Sequence, residues 1–329
     1  MKKILVTGGA GYIGSHVVRQ LGEAGYDIVV IDNLSTGYDW AVLAGELIRG
    51  DLIDREFLHR VMSQHRFDAV LHFAAHIVVP ESVAEPLKYY RNNTANTLNL
   101  IEACAEHDIR RFVFSSTAAV YGIPEGQTVS EDSPLQPINP YGASKMMSER
   151  MLMDYAASSA MRYVILRYFN VAGADPSGRI GQATPEATHL IKVACETALG
   201  QRARMQVFGD DYPTPDGTCI RDYIHVEDLA RAHLDALSYL SADDVSSQIL
   251  NCGYGHGYSV LDVIRTVKKQ SQTDFAVDIS ARRAGDPPAL IAVSDRIRHV
   301  LQWQPQYDDL DFIVKTAYDW EKKLADRRR

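Results

Sequence analysis

At 329 residues the chain is longer than a usual single hydrophobic core, so we expect two domains, or one large domain with a lobe. Its apolar and charged fractions are ordinary for a soluble globular protein. The net charge is −8 and no run of lysines or arginines precedes the last three residues, which argues against nucleic acid as the main partner.

Cysteine usage and hydropathy indicate the compartment. Cys104, Cys195, Cys219 and Cys252 lie far apart without a CxxC pair, so we expect no disulfide framework and no metal site, and a reducing cytoplasm fits best. The apolar run at residues 4–6 is too short for a signal peptide. No stretch is long enough to span a membrane.

Strand and helix patterns alternate through about the first half of the chain, which predicts an α/β fold with a doubly wound parallel sheet. The predicted strands are 4–6, 27–31, 47–49, 69–73, 112–115 and 163–167. The predicted helices are 12–24, 55–64, 86–106 and 140–157.

After Asn170 the alternation stops. Residues 172–182 are rich in Gly, Pro and Asp and are predicted as a loop into a second lobe. Ser259 and Asp262 are a predicted capping pair for the last of its helices. The predicted helices of this lobe are 185–199, 226–239 and 260–270.

A glycine-rich turn joins the first predicted strand to the first helix. Gly8, Gly11 and Gly14 lie three residues apart, a spacing that lets backbone approach a pyrophosphate and directs helix N–H groups at it. Asp32 ends the next strand, where a carboxylate accepts hydrogen bonds from an adenosine ribose and repels a 2′-phosphate. The pattern favours NAD over NADP; the alternative is a glycine turn without a ligand.

Two further segments follow predicted strands. Asp51-Leu52 either holds an adenine amino group or caps the next helix, and the sequence does not separate the two. Phe73-Ala74-Ala75 closes the fourth strand with small residues that let a cofactor lie against the backbone. By itself this segment is equally a tight loop.

Tyr141 and Lys145 lie one turn apart near the start of a predicted helix. Residues four apart share a helix face, so the lysine charge can favour the phenolate of a tyrosine that otherwise ionises near pH ~10. We expect this effect to come from charge, that of Lys145 together with a positive nicotinamide, rather than from desolvation. Tyr318 and Lys322 repeat the spacing without neighbouring motifs and are predicted as part of a C-terminal helix.

A triplet of hydroxyl residues, Ser115-Ser116-Thr117, ends the fifth predicted strand. Ligands of doubly wound folds bind at this carboxyl edge, so one hydroxyl can hydrogen-bond the oxygen that Tyr141 deprotonates. The alternative is an ordinary strand-end turn, and the residues alone do not choose among the three hydroxyls.

These motifs, together with Arg-Tyr-Phe-Asn at 167–170, resemble the extended short-chain dehydrogenase/reductase superfamily. Within it the chain is similar over nearly its whole length to the UDP-glucose (UDP-galactose) 4-epimerase family. The segments most similar to this family are Asp-Asn-Leu-Ser-Thr-Gly at 32–37, Gly-Asp-Asp-Tyr-Pro-Thr at 209–214 and Arg-Asp-Tyr-Ile-His-Val at 221–226.

The resemblance implies a Rossmann-type doubly wound sheet at 1–172 that binds NAD, and a smaller mixed α/β domain at 173–329 that binds a UDP-sugar. Whether a segment near 222–245 returns to the first domain is left open. The resemblance also implies a homodimer in which the helices at 86–106 and 140–157 of each subunit pair as a bundle.

The resemblance assigns roles to single residues. Tyr141 is the acid/base, Lys145 tunes its pKa and contacts the nicotinamide ribose, and Thr117 is the catalytic hydroxyl. The implied cofactor contacts are Gly8, Gly11, Tyr12, Ile13, Gly14, Asp32, Asn33, Asp51, Leu52, Phe73, Ala74, Ala75, Asn92, Ser115, Tyr141, Lys145 and Tyr168. The implied substrate contacts are Thr117, Tyr141, Asn170, His189, Leu190, Val207, Phe208, Arg221, Arg283, Asp286 and Leu290.

Among the substrate contacts, Phe208 is implied for the uracil pocket and Asp286 for the uridine ribose. Arg221 and Arg283 are implied for the diphosphate, since a guanidinium offers paired donors. On the residues alone each arginine is explained equally well by a surface ion pair.

Two positions depart from the family pattern. The family often places a lysine near the cofactor where this chain has Ile77, so one cofactor contact is in doubt. Leu290 stands where some members have a tyrosine in the sugar pocket. A smaller side chain leaves room, so we hypothesise that an N-acetylated sugar also fits.

The predicted activity is 4-epimerisation: Tyr141 takes the hydroxyl proton while C4 gives a hydride to bound NAD, and the 4-keto sugar turns over and takes the hydride back. A 4,6-dehydratase needs an extra acid and base where this chain has Ala118 and Ala119, and a UDP-glucuronate decarboxylase usually has a carboxylate there. The remaining alternatives are a 4-epimerase of UDP-N-acetylglucosamine, UDP-glucuronate or UDP-xylose, and a non-catalytic NAD-binding regulator.

Overall fold

The computed structural model describes residues 2–185, 187–283 and 285–328. Their strands are β1 (Lys3–Thr7), β2 (Asp27–Asp32), β3 (Glu46–Arg49), β4 (Ala69–His72), β5 (Arg111–Thr117), β6 (Thr128–Val129), β7 (Arg162–Tyr168), β8 (Asn170–Ala172), β9 (Met205–Phe208), β10 (Ile220–Arg221), β11 (Tyr223–His225), β12 (Gln248–Cys252), β13 (Tyr258–Ser259), β14 (Val277–Ser280) and β15 (Ala289–Ala292). Their helices are α1 (Tyr12–Glu23), α2 (Arg55–Gln64), α3 (Val79–Ala84), α4 (Pro86–Tyr89), α5 (Asn96–Glu106), α6 (Pro140–Ala157), α7 (Leu190–Ala198), α8 (Val226–Leu240), α9 (Val260–Ser271), α10 (Asp295–Leu301) and α11 (Leu310–Arg328).

A parallel sheet with the order β3-β2-β1-β4-β5-β7-β12 forms the centre of the protein. Its strands are apolar on both faces because helices cover both sides. Alternate residues enter separate cores: Leu5 and Val29 pack in one, Val6 and Val30 in the other. The predicted doubly wound α/β fold is confirmed.

The second half of the chain contributes to this central sheet. Strand β12 pairs with β7, with Leu250 opposite Leu166. Helix α8 packs against α1, where Glu227 forms an ion pair with the buried Arg19. The segment that returns to the first half thus reaches Cys252, beyond residue 245.

The remaining strands form smaller sheets. The order β13-β10-β15-β6 gives one sheet, and β11 pairs with β8 and β14 with β9. Helix α9 begins at the predicted capping pair: Ser259 Oγ accepts from the Asp262 N–H at 3.0 Å, and the Asp262 carboxylate accepts from the Ser259 N–H at 3.0 Å. Tyr318 lies in helix α11, as predicted.

The helix predictions failed at two places. The predicted helix 86–106 is α4 and α5 separated by a π-helical turn at Tyr90–Ala95, and the short helix α3 before it was not predicted. The helix predicted from Pro185 begins only at Leu190; residue 186 lies outside the described residues.

Two further expectations concern cysteines and membranes. Cys104, Cys195, Cys219 and Cys252 are free thiols and all are buried. Across the described part of the chain, no helix is both long enough and apolar enough to cross a bilayer, and no group of acidic, histidine or cysteine side chains is arranged to hold a metal ion.

Candidate active site

The predicted site residues gather at the carboxyl edge of the central sheet. Strands β1 and β4 are neighbours there, and the strand order reverses at β1, which is where doubly wound folds bind ligands. The glycine turn follows β1 and Phe73 follows β4, while Thr117 ends β5 and Tyr168 ends β7. The topology therefore brings together segments that are distant in the sequence.

The glycine turn is packed tightly against the loop after β4. Gly8 has φ +74°, and a methyl group added there would lie 2.5 Å from the Ala74 nitrogen. A methyl group at Gly14 would lie 2.2 Å from the Gly8 carbonyl oxygen. At Gly11, the residue that precedes helix α1, the nearest such atom is 3.3 Å away, and the first-turn N–H groups of α1 have no partner within the helix.

Asp32 is held by the turn it faces. Its Oδ2 accepts from the Ala10 N–H at 3.0 Å and its Oδ1 from the Leu34 N–H at 2.8 Å. Burial raises the pKa of the Asp32 carboxyl, and these two backbone donors partly lower it. The carboxylate thus sits between the glycine turn and the segment after β2.

Asp51 does not cap helix α2, so that interpretation is wrong. The capping residue is Asp54, whose Oδ1 accepts from the Phe57 N–H at 2.9 Å. Asp51 instead accepts from Asn33 Nδ2 at 2.8 Å. A cleft of about 630 Å³ is lined by Asp51 and Asn92 together, and Leu52 beside it is buried.

Each hydroxyl of the triplet has a different partner. Ser115 hydrogen-bonds the Tyr168 hydroxyl, and Ser116 donates to the Glu149 carboxylate. The Thr117 side chain lies near the Tyr141 hydroxyl and lowers the pKa of Tyr141 against the effect of burial. Of the three hydroxyls, Thr117 is therefore the one that acts on Tyr141, a choice the residues alone did not make.

Tyr141 and Lys145 are positioned by the start of helix α6. Asn139 Oδ1 accepts from the Gly142 N–H at 2.9 Å, and Pro140 occupies the first turn, where no N–H donor is needed. The side chains of Tyr141 and Lys145 are both buried. Lys145 Nζ donates to the Ser115 carbonyl oxygen at 2.9 Å and lies 4.9 Å from the centre of the Phe114 ring.

The electrostatics differ from the expectation of a charge effect. Burial raises the pKa of Tyr141, and the neighbouring Thr117 side chain lowers it in part. Burial also lowers the pKa of Lys145 to about 7, against an opposing effect of Glu149. For the protein groups alone desolvation is the largest effect on both pKa values, because both side chains are buried.

A buried polar network behind Lys145 was not predicted. Glu149 accepts from Arg167 Nη2 at 2.6 Å, and Arg167 Nη1 donates to the Tyr121 hydroxyl at 3.1 Å. Tyr121 in turn donates to Asn251 Oδ1 at 2.6 Å. The signal available in the sequence was the position of Glu149, four residues after Lys145 on the same helix face.

Tyr89 and Asn93 also contribute to the site without having been predicted. The Tyr89 ring lies edge-on to the Tyr141 ring at 6.4 Å, and Tyr89 is fully buried. Asn93 Nδ2 donates to Ser144 Oγ at 3.0 Å and to the His76 carbonyl oxygen at 2.9 Å. Asn93 thus ties the loop after β4 to α6, while its predicted neighbour Asn92 lines the cleft with Asp51.

The residues predicted for the substrate pair with one another. Arg221 Nη2 donates to Asp286 Oδ1 at 2.5 Å, and the Arg283 guanidinium lies 3.8 Å from the centre of the Phe208 ring. Leu290 on β15 is the register partner of Arg221 on β10. The structure therefore brings Arg221, Asp286 and Leu290 together in one sheet region.

A second group lies at the start of helix α7. Asn170, His189 and Leu190 line a cavity of about 30 Å³. His189 Nδ1 is 2.8 Å from Gln182 Nε2, and burial lowers the pKa of the imidazole. Val207 is buried in β9, next to Phe208 in the chain.

Comparison with known proteins identifies relatives that cover the chain. The family described as NAD dependent epimerase/dehydratase matches residues 4–253. A UDP-glucose 4-epimerase of Azospirillum brasilense is 58% identical over 98% of this chain and 92% of the relative.

Solved structures agree with this relationship. The UDP-Glc/GlcNAc 4-epimerase of Campylobacter jejuni is 52% identical, with a TM-score of 0.87 over 98% of this chain and all of that one. The UDP-glucose 4-epimerase of Brucella ovis in complex with NAD is 44% identical, with a TM-score of 0.94 over 97% of this chain and 98% of that one.

Proposed function

The chain belongs to the NAD dependent epimerase/dehydratase family, and on that premise we propose that it is a UDP-glucose 4-epimerase that interconverts UDP-glucose and UDP-galactose with bound NAD. The observation that carries the proposal is the placement of Thr117 near the buried Tyr141 hydroxyl at the carboxyl edge, with the buried Lys145 one helical turn from Tyr141. Ala118 and Ala119 follow Thr117 and supply neither acid nor base, so the site supports oxidation and its reversal without elimination of water.

The residues present fit NAD. The first turn of α1, which follows the glycine turn, presents N–H groups that have no partner within the helix, and Asp32 offers a carboxylate to a ribose. Asp51, Phe73, Ala74, Asn92 and the other predicted cofactor contacts remain proposed. When bound, NAD is the oxidant that accepts a hydride from the sugar and later returns it.

Tyr141 is proposed to be the acid/base that removes and returns the proton of the sugar 4-hydroxyl. Its oxygen takes the proton of the sugar 4-hydroxyl as the C4–H bond breaks, and gives the proton back when C4 regains its hydride on the other face. Thr117 holds the reacting oxygens in line, and the Lys145 ammonium stabilises the phenolate while it lasts. No net oxidation results, because every proton and hydride removed is restored.

The second lobe is proposed to hold the nucleotide. Arg221 and Arg283 provide two guanidinium groups for two phosphates. Both are engaged in the structure, Arg221 with Asp286 and Arg283 with Phe208, so these partners fix the side chains in position. Asp286 is proposed to contact the ribose and Phe208 the uracil, each next to the arginine that it contacts.

A second candidate activity is 4-epimerisation of an N-acetylated UDP-sugar. Leu290 is smaller than the tyrosine of some family members, and the Campylobacter jejuni relative is a UDP-Glc/GlcNAc 4-epimerase. Leu290 packs against a cluster containing Ala118 and Phe169, so its size helps set the room beside the catalytic strand end.

The proposed protein is a cytoplasmic homodimer. Leu98 on α5 and Met147 on α6 are 41% and 42% exposed, which leaves apolar side chains on the two helices implied for the interface. The free, buried cysteines fit a reducing compartment. A dimeric mass in light scattering supports the assembly and a monomeric mass contradicts it.

One assay tests the proposed activity directly. Purified protein is given UDP-glucose, UDP-galactose, UDP-N-acetylglucosamine, UDP-glucuronate and UDP-xylose separately, without added NAD. Interconversion of the first two supports the proposal and shows that NAD is retained. No turnover of either, with or without added NAD, contradicts it.

A further inference from the structure

The segment between β2 and β3 lies over the glycine turn. The Tyr38 N–H donates to the Ala10 carbonyl oxygen at 3.0 Å, and a methyl group added at Gly37 would lie 2.8 Å from the Ala10 carbonyl carbon. The segment starts at Asp32, whose carboxylate also binds the Ala10 N–H. Gly37 and Tyr38 of the segment 33–41 therefore pack directly against Ala10 of the turn.

An aromatic cluster attaches this segment to the C-terminal helix. Tyr38 and Trp40 stack with ring centres 5.3 Å apart, and Trp40 meets Trp320 of α11 at 5.8 Å. The Arg327 guanidinium lies 4.8 Å from the Trp40 ring centre and 5.4 Å from that of Trp320. We name Tyr38, Trp40, Trp320 and Arg327 the clasp.

Helix α11 provides the fixed side of the clasp. Trp320, Leu324 and Arg327 fall at i, i+4 and i+7 and share one helix face. Trp320 is 2% exposed and its Nε1 donates to the Gln182 carbonyl oxygen at 3.1 Å. Trp40 is only partly buried, so the segment after β2 is the side that can separate.

Resting on the proposed function, we propose that the clasp holds residues 33–41 over the glycine turn and thereby slows the release of bound NAD. Asp32 and the turn are the proposed positions of the adenosine ribose and the pyrophosphate. A dinucleotide held between them leaves only after the covering segment lifts from Ala10. Lifting it separates Trp40 from Trp320 and Arg327, which adds to the barrier for release.

The departure at Ile77 increases the contribution that we expect from the clasp to cofactor retention. Ile77 replaces a lysine that the family resemblance places near the cofactor, and it is 41% exposed and uncharged. A cofactor lacking that contact depends more on the segment that covers it. The clasp acts on the rate of release, since none of its four residues takes part in the proposed hydride or proton transfer.

The test is a chase experiment on the full-length protein. Protein loaded with radiolabelled NAD is mixed with excess unlabelled NAD, and loss of label is followed for the parent, Trp40→Ala, Arg327→Ala and Arg327→Lys. We expect release about ten times faster for Trp40→Ala and about three times faster for Arg327→Ala, with Arg327→Lys between Arg327→Ala and the parent, because a lysine keeps the cation–π contact but not the planar stacking.

Lys315→Ala is the matched control. Lys315 lies on the same helix, its side chain is 59% exposed, and its one ion pair within the described residues is with Asp319. It should release NAD at the parental rate. Hydrogen exchange with NAD bound gives a second readout: the Tyr38 amide should exchange faster in Trp40→Ala and Arg327→Ala at temperatures far below unfolding.

The outcomes separate the two proposals. Parental release rates in both Trp40→Ala and Arg327→Ala, with NAD bound to each, overturn the clasp and leave the proposed function intact. If Trp40→Ala does not fold, the surface variant Arg327→Ala decides alone. A parent protein that binds no NAD overturns both the clasp and the proposed function.

Discussion

Arg167 donates from Nη2 to Glu149 Oε2 over 2.6 Å, and both side chains are at most 3% exposed. Arg167 lies on β7 opposite Ser116 of β5, whose hydroxyl also donates to Glu149. Glu149 follows Lys145 by one turn of α6. The ion pair therefore fastens the helix that carries Tyr141 and Lys145 to the two strands whose ends complete the site.

Replacing Glu149 by Ala should destabilise the protein strongly. The variant leaves the Arg167 charge buried without its partner, which typically costs about 3–5 kcal/mol of unfolding free energy. Arg150→Ala is the matched control, because the neighbouring pair of Arg150 with Asp154 is 75% and 61% exposed and solvent-exposed pairs contribute little to stability. Urea unfolding measures both, and equal losses would contradict the structural role of the buried pair.

Tyr141→Phe should abolish turnover while leaving the fold and NAD binding intact. The substitution removes only the hydroxyl that lies near Thr117, and a positioned acid/base is worth about 10²–10⁴ in rate. Tyr318→Phe is the control, since Tyr318 and Lys322 repeat the spacing on α11, where the ammonium lies 4.8 Å from the ring centre. Initial rates with UDP-galactose compare them; near-parental activity in Tyr141→Phe refutes its role.

The buried Lys145 should make stability depend on pH. Its pKa is lowered to about 7 by burial, with Glu149 opposing the shift, whereas in the unfolded chain it lies near ~10.4. Between these values the unfolded state holds a proton that the folded state has released, so raising the pH favours folding, with a slope of at most about 1.4 kcal/mol per pH unit.

The comparison is between the parent and Lys145→Met, both stripped of NAD, by urea unfolding from pH 6 to pH 10. The parent's unfolding free energy should rise relative to the variant's above about pH 7 and should run parallel to it below. Titrations common to both proteins cancel in the difference. A difference that is constant across the range would show that Lys145 keeps its ordinary pKa.

Local sequence signals predicted the elements that local interactions define. The bounds of α6 match the prediction because Asn139 and Pro140 specify its start within four residues of chain. The π-helical turn at Tyr90–Ala95 was missed because distant residues sustain it. Ser148 Oγ of α6 donates to the Asn93 carbonyl oxygen at 3.0 Å, and Thr97 Oγ1 donates to the same atom at 2.5 Å.

The same distinction applies to the site. Motifs at strand ends predicted the glycine turn, Asp32 and the hydroxyl triplet, because parallel strands end at one edge of the sheet. The helix start at Asn139 and Pro140 predicted Tyr141 and Lys145, while the choice of Thr117 within the triplet came from the family resemblance. Contacts between residues distant in the chain could not be predicted. For Asp51, the sequence did not separate an adenine contact from a helix cap, and the structure shows that Asp54 is the cap. The pKa direction of Tyr141 was also missed, since desolvation depends on packing that spacing does not reveal.

Leu290→Tyr should narrow the sugar pocket selectively. Leu290 packs with Ala118 and Phe169 next to Arg221, so a larger ring takes up space at the strand end that carries Thr117. Turnover of UDP-N-acetylglucosamine should fall about 10–200-fold in kcat/KM, while that of UDP-glucose changes by a few fold, because the N-acetyl group needs the lost volume.

Leu290→Met is the control, since it preserves side-chain volume and should leave both substrates near parental values. The measurement is kcat/KM for each UDP-sugar in the parent and the two variants. Equal losses for both sugars in Leu290→Tyr would indicate general overpacking rather than selection at this position. A parent that does not turn over UDP-N-acetylglucosamine at all would mean that removing the tyrosine ring is insufficient, and that other pocket residues exclude the larger sugar.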